Sequence, residues 1–230
     1  MLRAGIEDLV MELELQRPAC TTGAERDRHR EALFCAKSAR RLLCYHAEAA
    51  RSSDTGGRIV RMLGMRDAMM ASTLAHIFER EEGRGRILVY AHNSHLSRER
   101  AEWQLGPHHL AWWPAGAYLN ARFGKGYAVI GSGVAISEEN GIGMPEAGTL
   151  EARLFSSPHE AVFIPTRGAP SPSRVALEGL VPRSGSRRNS TYFPLTPGSI
   201  RAFDGLVVVG STAYAPGAPP LPPAGSASSE

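Results

Sequence analysis

Two histidines and an asparagine follow a short apolar stretch, and their chemical types and placement suit catalysis. The apolar residues are 87–91, and His92, Asn93 and His95 come directly after them. A short apolar run predicts a buried strand, and ligands in open α/β sheets bind beyond the carboxyl ends of strands. An imidazole titrates near neutral pH and can take a proton from water. We therefore predict His92 and His95 as candidate general bases and Asn93 as a substrate contact.

The same histidines have two other interpretations. Each ring could be a core histidine whose N–H is bonded to a backbone carbonyl. The spacing of His92 and His95 could also serve a metal hydrolase, but zinc would need at least one more ligand, such as a distant carboxylate. We predict no metal and no cofactor.

A second polar pair, Arg66 and Asp67, lies upstream in a helical pattern. Arg66 could bind an oxyanion or a carboxylate, and Asp67 could orient an imidazole. The alternatives are a helix cap for Asp67 and a surface ion pair of little energetic value for Arg66.

Two adjacent tryptophans, Trp112 and Trp113, follow a pair of histidines at 108–109. They could line an aromatic pocket for a bulky substrate, and we include both as candidate substrate contacts. The alternative is a loop that packs its tryptophans against the core.

The elements that must position these side chains follow from hydrophobic periodicity. Three helical segments come first, the third with a break at Gly64, and strands alternate with loops or a short helix afterwards. This order predicts an α/β fold in which helices precede a small mixed or parallel sheet. The predicted helices are 3–16, 24–51, 58–82 and 115–123, and the predicted strands are 87–91, 127–130, 149–154, 161–164 and 203–209.

Composition shifts divide the chain into three parts. Residues 1–23 form an N-terminal helix and loop, and 24–215 form the α/β domain. Residues 216–230 contain mainly Pro, Ala, Gly and Ser, so we expect this tail to be disordered.

The overall composition excludes several functional classes. The formal charge is +3, and the basic residues are scattered without interleaved aromatics, so we expect no nucleic-acid partner. No apolar run approaches the roughly 20 residues that span a bilayer, so we expect no membrane association. Three cysteines without paired spacing and an N-terminus without a signal-peptide core favour the cytoplasm.

Four motifs follow one another along the chain: Arg66-Asp67-Ala68-Met69-Met70-Ala71, residues 87–95, residues 124–131 and residues 203–209. In this order, and over roughly residues 30–215, they resemble the erythromycin esterase family. The first resembles the R-D-x-x-M-A helix of that family, and the second resembles its apolar strand that ends in A-H-N-x-H. The third and fourth resemble its G-x-x-Y-x-V-I-G strand and its closing F-D-x-L strand.

This resemblance implies an α/β esterase that opens a macrolide lactone, or cleaves another ester, through a histidine-activated water. It implies that His92 and His95 are active-site histidines and that Arg66 and Asp67 support the same cleft. The chain departs from the family because Thr73 stands where an asparagine is usual. It also lacks the G-E-x-x-H-G motif of the N-terminal half of family members, which are nearly twice as long.

We therefore expect a fold that is incomplete relative to the family. The leading hypothesis is a hydrolase whose partner is a small-molecule ester or macrolide. The alternative is a truncated, non-catalytic remnant with a ligand- or partner-binding role. A partner chain or self-association would then cover the incomplete sheet, because unpaired edges and apolar faces invite association.

Overall fold

The computed structural model has a mixed α/β fold, which confirms the predicted fold class. Helices come first, a β-hairpin follows, and a three-stranded sheet completes the chain. The predicted disordered tail lies outside the described residues, and the predicted division into domains stays a prediction. The structure describes residues 2–51, 54–155, 159–167, 179–196 and 198–212.

Three long helices form the first part of the fold, as the periodicity predicts. They are α1 (Leu2–Gln16), α2 (Gly23–Ala49) and α3 (Thr55–Arg80). Thr22 and Asp54 cap the N-termini of α2 and α3, respectively. The predicted break at Gly64 is wrong, because α3 continues through this glycine without interruption.

A hairpin and a helix pack against α3. A short helix, α4 (Asn93–Leu96), precedes strand β1 (Ala101–Leu105), which pairs antiparallel with β2 (His108–Trp112), and α5 (Ala115–Phe123) follows. Residues 108–112, for which a loop was one of the two interpretations, therefore form a strand. Its turn needs Gly106, whose φ is 56°, a left-handed value that favours glycine.

The three-stranded sheet has the order β3-β5-β4. Strands β3 (Ile130–Ile136) and β5 (Gly205–Ser211) are parallel, and β4 (Ala161–Pro165) pairs antiparallel with β5. Leu206 and Val208 of β5 are buried in the largest core cluster. The sheet is thus small and mixed, as predicted.

Two sequence predictions misplace parts of this sheet. Residues 149–154, predicted as a strand, form helix α6 (Leu150–Phe155) because the Thr149 hydroxyl accepts a hydrogen bond from the N–H of Ala152 and caps the helix. Strand β3 lies later than predicted and continues into a glycine-rich stretch. The glycine at 131 is needed there, because a side chain would collide with Phe203 and Leu206.

Residues 87–91 are not the buried strand that their apolar character predicts. They have no assigned secondary structure and belong to none of the described strands. Val89 and Ala91 pack against the core, but Leu88 is 96% exposed and Tyr90 is 99% exposed. The alternation is that of a strand, and the described chain supplies no neighbour for it.

Hydrogen bonds of Asp204 connect the sheet to the segment after α4. Its carboxylate accepts hydrogen bonds from Arg98, from the N–H of Val129 at 2.7 Å and from Arg167 at 3.1 Å. Partial burial acts to raise the pKa of Asp204, but these hydrogen bonds lower it overall. The aspartate therefore fixes the start of β5 against the chain that leaves the candidate site.

Candidate active site

Asp67 is the buried anchor of the candidate site. It lies within α3, is fully buried and accepts three hydrogen bonds. The donors are Nδ1 of His95 at 2.9 Å, Nε1 of Trp112 at 2.6 Å and the backbone N–H of Ala115 at 3.0 Å. The helix-cap alternative is wrong, since Asp54 caps α3. A buried carboxylate needs such partners, and here they come from three separate elements.

His95 connects this carboxylate to Arg66. Its Nδ1 lies on Asp67, and its Nε2 lies 2.8 Å from Nη2 of Arg66. A guanidinium only donates hydrogen bonds, so Nε2 accepts and the ring proton stands on Nδ1. Both ring nitrogens are thus engaged. The arrangement holds the exposed guanidinium of Arg66 in place and occupies the lone pair that His95 would need as a base.

His92 occupies a different position at the N-terminus of α4. Its Nδ1 accepts a hydrogen bond from the N–H of Ser94 at 3.1 Å and lies 2.8 Å from the Ser94 hydroxyl. The ring also bonds to the backbone of Thr191 and packs edge-on against Phe193, with ring centroids 5.1 Å apart.

Burial and the neighbouring His95 ring lower the pKa of His92 below its usual value, against the opposing effect of the Thr191 bond. The neutral ring therefore dominates near pH 7, as a general base requires. The centroids of the His92 and His95 rings lie 6.4 Å apart. The neutral ring of His92 therefore belongs to the same cluster as His95 and the Arg66 guanidinium that His95 holds.

A cleft of about 800 Å³ lies next to the start of α4, and Arg66, Asp67, His92 and His95 are not among the residues that line it. Asn93 and Ser94 line it together with Trp103, Trp113 and Phe193. The Asn93 amide does not face the cleft freely, because it exchanges two hydrogen bonds with the backbone of Ser132 on β3. It fixes α4 to the sheet edge.

The structure brings together Arg66, Asp67, His92 and His95, the four predicted catalytic candidates. The two tryptophans separate: Trp113 lines the cleft, whereas Trp112 is buried and bonded to Asp67.

Sequence reasoning missed Ser94, which stands inside the second motif, between the residues that were singled out. It also missed the 191–193 loop, which carries no local signal because it meets His92 only through folding.

Neither a metal cluster nor a membrane helix is found in the described part of the chain. No three His, Cys, Asp or Glu side chains there are placed to hold one metal ion. No helix among those residues is long and apolar enough to cross a bilayer.

Comparison with known proteins identifies the family of this chain. A crystal structure of a protein from Bacillus cereus matches with a TM-score of 0.52 and 16% sequence identity, over 91% of this chain and 53% of that one. The chain thus spans about half the length of the protein that shares its fold. No curated protein is significantly similar. The family model described as erythromycin esterase matches residues 2–212. The chain therefore belongs to the erythromycin esterase family.

Proposed function

We propose that the chain hydrolyses a carboxylic ester, either a macrolide lactone or another ester, with His92 as the general base. The observation that supports this proposal is that the two histidine rings have different hydrogen-bond partners. His95 is bonded on both sides, to Asp67 and Arg66, while His92 has a lowered pKa and a hydroxyl on its Nδ1.

The proposed reaction uses a water molecule bound to the Ser94 hydroxyl, which lies 2.8 Å from Nδ1 of His92. The water loses a proton to that hydroxyl, and the hydroxyl passes its own proton to Nδ1, as the water oxygen attacks the ester carbonyl, whose double bond opens to an oxyanion. The guanidinium of Arg66, oriented by His95 and Asp67, stabilises that oxyanion. The intermediate then collapses, the bond to the alkoxy oxygen breaks, and His92 returns the proton to the departing alcohol.

The other predicted contacts have supporting roles in this scheme. Asn93 fixes the backbone between the two histidines, and Trp113 offers an aromatic surface in the cleft. Trp112 acts through Asp67, which it holds in place. The size of the cleft supports a drug-sized substrate, since ligand pockets commonly have about 300–1,000 Å³. The family's name adds erythromycin-like macrolides to the ester classes that merit testing.

A non-catalytic binding role is the alternative function. One observation favours it: Leu88 and Tyr90 are large apolar side chains and are almost fully exposed. The three unpaired cysteines support a cytoplasmic location for either role.

Hydrolysis measured by mass spectrometry tests the catalytic proposal. Purified chain is incubated with erythromycin and with a simple aryl ester, and the products are examined for the gain of one water. We expect His92→Ala to lower the rate by about 10²-fold or more. His109→Ala is the matched control, because this histidine lies on β2 with a side chain that is 63% exposed, and it should retain the wild-type rate.

Two results would contradict the proposal. One is a folded wild-type chain that hydrolyses neither ester. The other is equal rates for wild type and His92→Ala, since the ring would then have no part in the reaction.

A further inference from the structure

The extended segment 86–91 has the properties of an unpaired strand. Among the described residues, no backbone hydrogen bond is found for residues 85–91. Val89 and Ala91 pack against the core and hold the segment in place, while Leu88 and Tyr90 point away from it and are 96% and 99% exposed. A row of open N–H and C=O groups beside large exposed apolar side chains is a template for another strand.

We propose that this segment pairs with the same segment of a second copy of the chain, as antiparallel strands related by a two-fold axis. The axis passes between Val89 and Val89 of the partner subunit. Leu88 then faces Tyr90 of the partner subunit, and the same pair repeats on the other side of the axis. Aromatic–aliphatic cross-strand pairs of this kind stabilise antiparallel sheets.

The sequence of the segment is self-complementary in this register. The two most exposed side chains, Leu88 and Tyr90, cover each other twice, and a closed two-fold contact is the commonest symmetry of soluble oligomers. The single charged residue of segment 86–91, Arg86, does not face its own copy. It lies opposite His92 of the partner subunit, so no like-charged pair opposes the association.

This register also has a consequence for the candidate site. Each subunit brings Arg86 to the ladder position opposite His92, the residue at the N-terminus of α4. A cation next to that ring would disfavour its protonated form further. The pairing itself does not depend on ester hydrolysis, so the two proposals succeed or fail separately.

The oligomeric state tests the pairing. Size-exclusion chromatography with light scattering over a range of concentrations should give twice the chain mass of 24.8 kDa for wild type. Leu88→Lys should give the monomer mass, since a lysine on a strand edge blocks pairing. Met144→Lys is the matched control, because Met144 is 66% exposed outside the segment, and it should stay dimeric.

A wild-type chain that stays monomeric at all concentrations overturns the proposal, and a different polypeptide would then be the occupant of this edge. A Leu88→Lys variant that remains dimeric overturns it as well, because the contact would lie elsewhere.

Cysteine cross-linking tests the register in a background without the native Cys20, Cys35 and Cys44. Leu88→Cys and Tyr90→Cys are purified separately, checked for the wild-type circular dichroism spectrum, and oxidised alone or as a mixture. Facing positions should form a disulfide-linked dimer in the mixture and little in either protein alone. Equal cross-linking of each variant alone, or none in the mixture, would refute this register.

Discussion

Replacing Asp67 by asparagine should lower the free energy of unfolding, because it disturbs the hydrogen bonds of this buried carboxylate. In wild type, Oδ1 accepts from His95 and from the N–H of Ala115, and Oδ2 accepts from Nε1 of Trp112. An asparagine that keeps its carbonyl on the first two donors must turn its NH₂ group toward the indole N–H. Two donors then face each other in a fully buried position.

The size of the effect follows from these contacts. A hydrogen bond to a charged group contributes about 1.5–3 kcal/mol, and a buried unsatisfied donor costs a comparable amount. We therefore expect Asp67→Asn to lower the free energy of unfolding by about 3 kcal/mol. Trp112→Phe removes one donor and should cost about 2 kcal/mol. In the double variant no donor faces the amide, so the combined loss should be smaller than the sum by about 1.5 kcal/mol.

Urea unfolding, followed by far-ultraviolet circular dichroism, measures all four proteins without relying on tryptophan fluorescence. Trp113→Phe is the matched control, because this neighbouring tryptophan is 52% exposed. Its effect should add to that of Asp67→Asn within about 0.5 kcal/mol. Additive losses for Asp67→Asn and Trp112→Phe would refute the assigned geometry, since the two side chains would then not share a hydrogen bond.

Three further predictions concern titration and packing. The pKa of His92 is lowered from 6.5, mainly by burial, so the folded chain binds this proton less readily than the unfolded chain. The free energy of unfolding should fall as the pH drops through 6.5, and less steeply in His92→Gln. Burial raises the pKa of Glu151 from 4.5, so the contribution of this carboxyl to the free energy of unfolding should fall as the pH rises above 4.5. Glu151→Gln removes that contribution, so the stability of the variant minus that of wild type should increase with pH above 4.5. Gly116→Ala should cost about 3 kcal/mol, because its Cβ would overlap the carbonyl of Leu96, whereas Gly64→Ala meets no atom and should gain about 0.5–1 kcal/mol.

Urea unfolding at a series of pH values measures the first two effects, and unfolding at one pH measures the third. Identical pH slopes in wild type and His92→Gln would contradict the environment described for that ring. If the stability of Glu151→Gln depended on pH as that of wild type does, the buried environment described for the Glu151 carboxyl would be contradicted. Equal stabilities of Gly116→Ala and Gly64→Ala would show that α5 does not approach α4 as closely as described.

Helices were the most predictable part of this fold. The periodicity of α1, α2 and α3 reflects burial of one face, and that pattern is local to each helix. Strands were less predictable because a strand is defined by its neighbour. Residues 87–91 have the alternation of a strand without a described partner, and β3 extends through glycines that local propensity assigns to a loop.

The candidate site shows the same division between local and distant information. The residues at 66–67 and 92–95 could be singled out from their types and from the resemblance of their motifs. The contact between Asp67 and Trp112 could not, because the two residues lie 45 positions apart and meet only when the hairpin packs on α3. Burial of Asp67 is likewise a property of the assembled elements.

The spacing of the two histidines explains why they have different roles. His92 precedes the first turn of α4 and uses its Nδ1 as an N-terminal cap. His95 lies inside that turn, where its ring reaches α3 and meets Asp67 and Arg66. A metal site would need both rings to converge on one point, but the ring of His92 bonds to Ser94 and Thr191, whereas the ring of His95 bonds to Asp67 and Arg66. The motif therefore separates a histidine that positions Arg66 from a histidine whose Nδ1 lies beside the Ser94 hydroxyl.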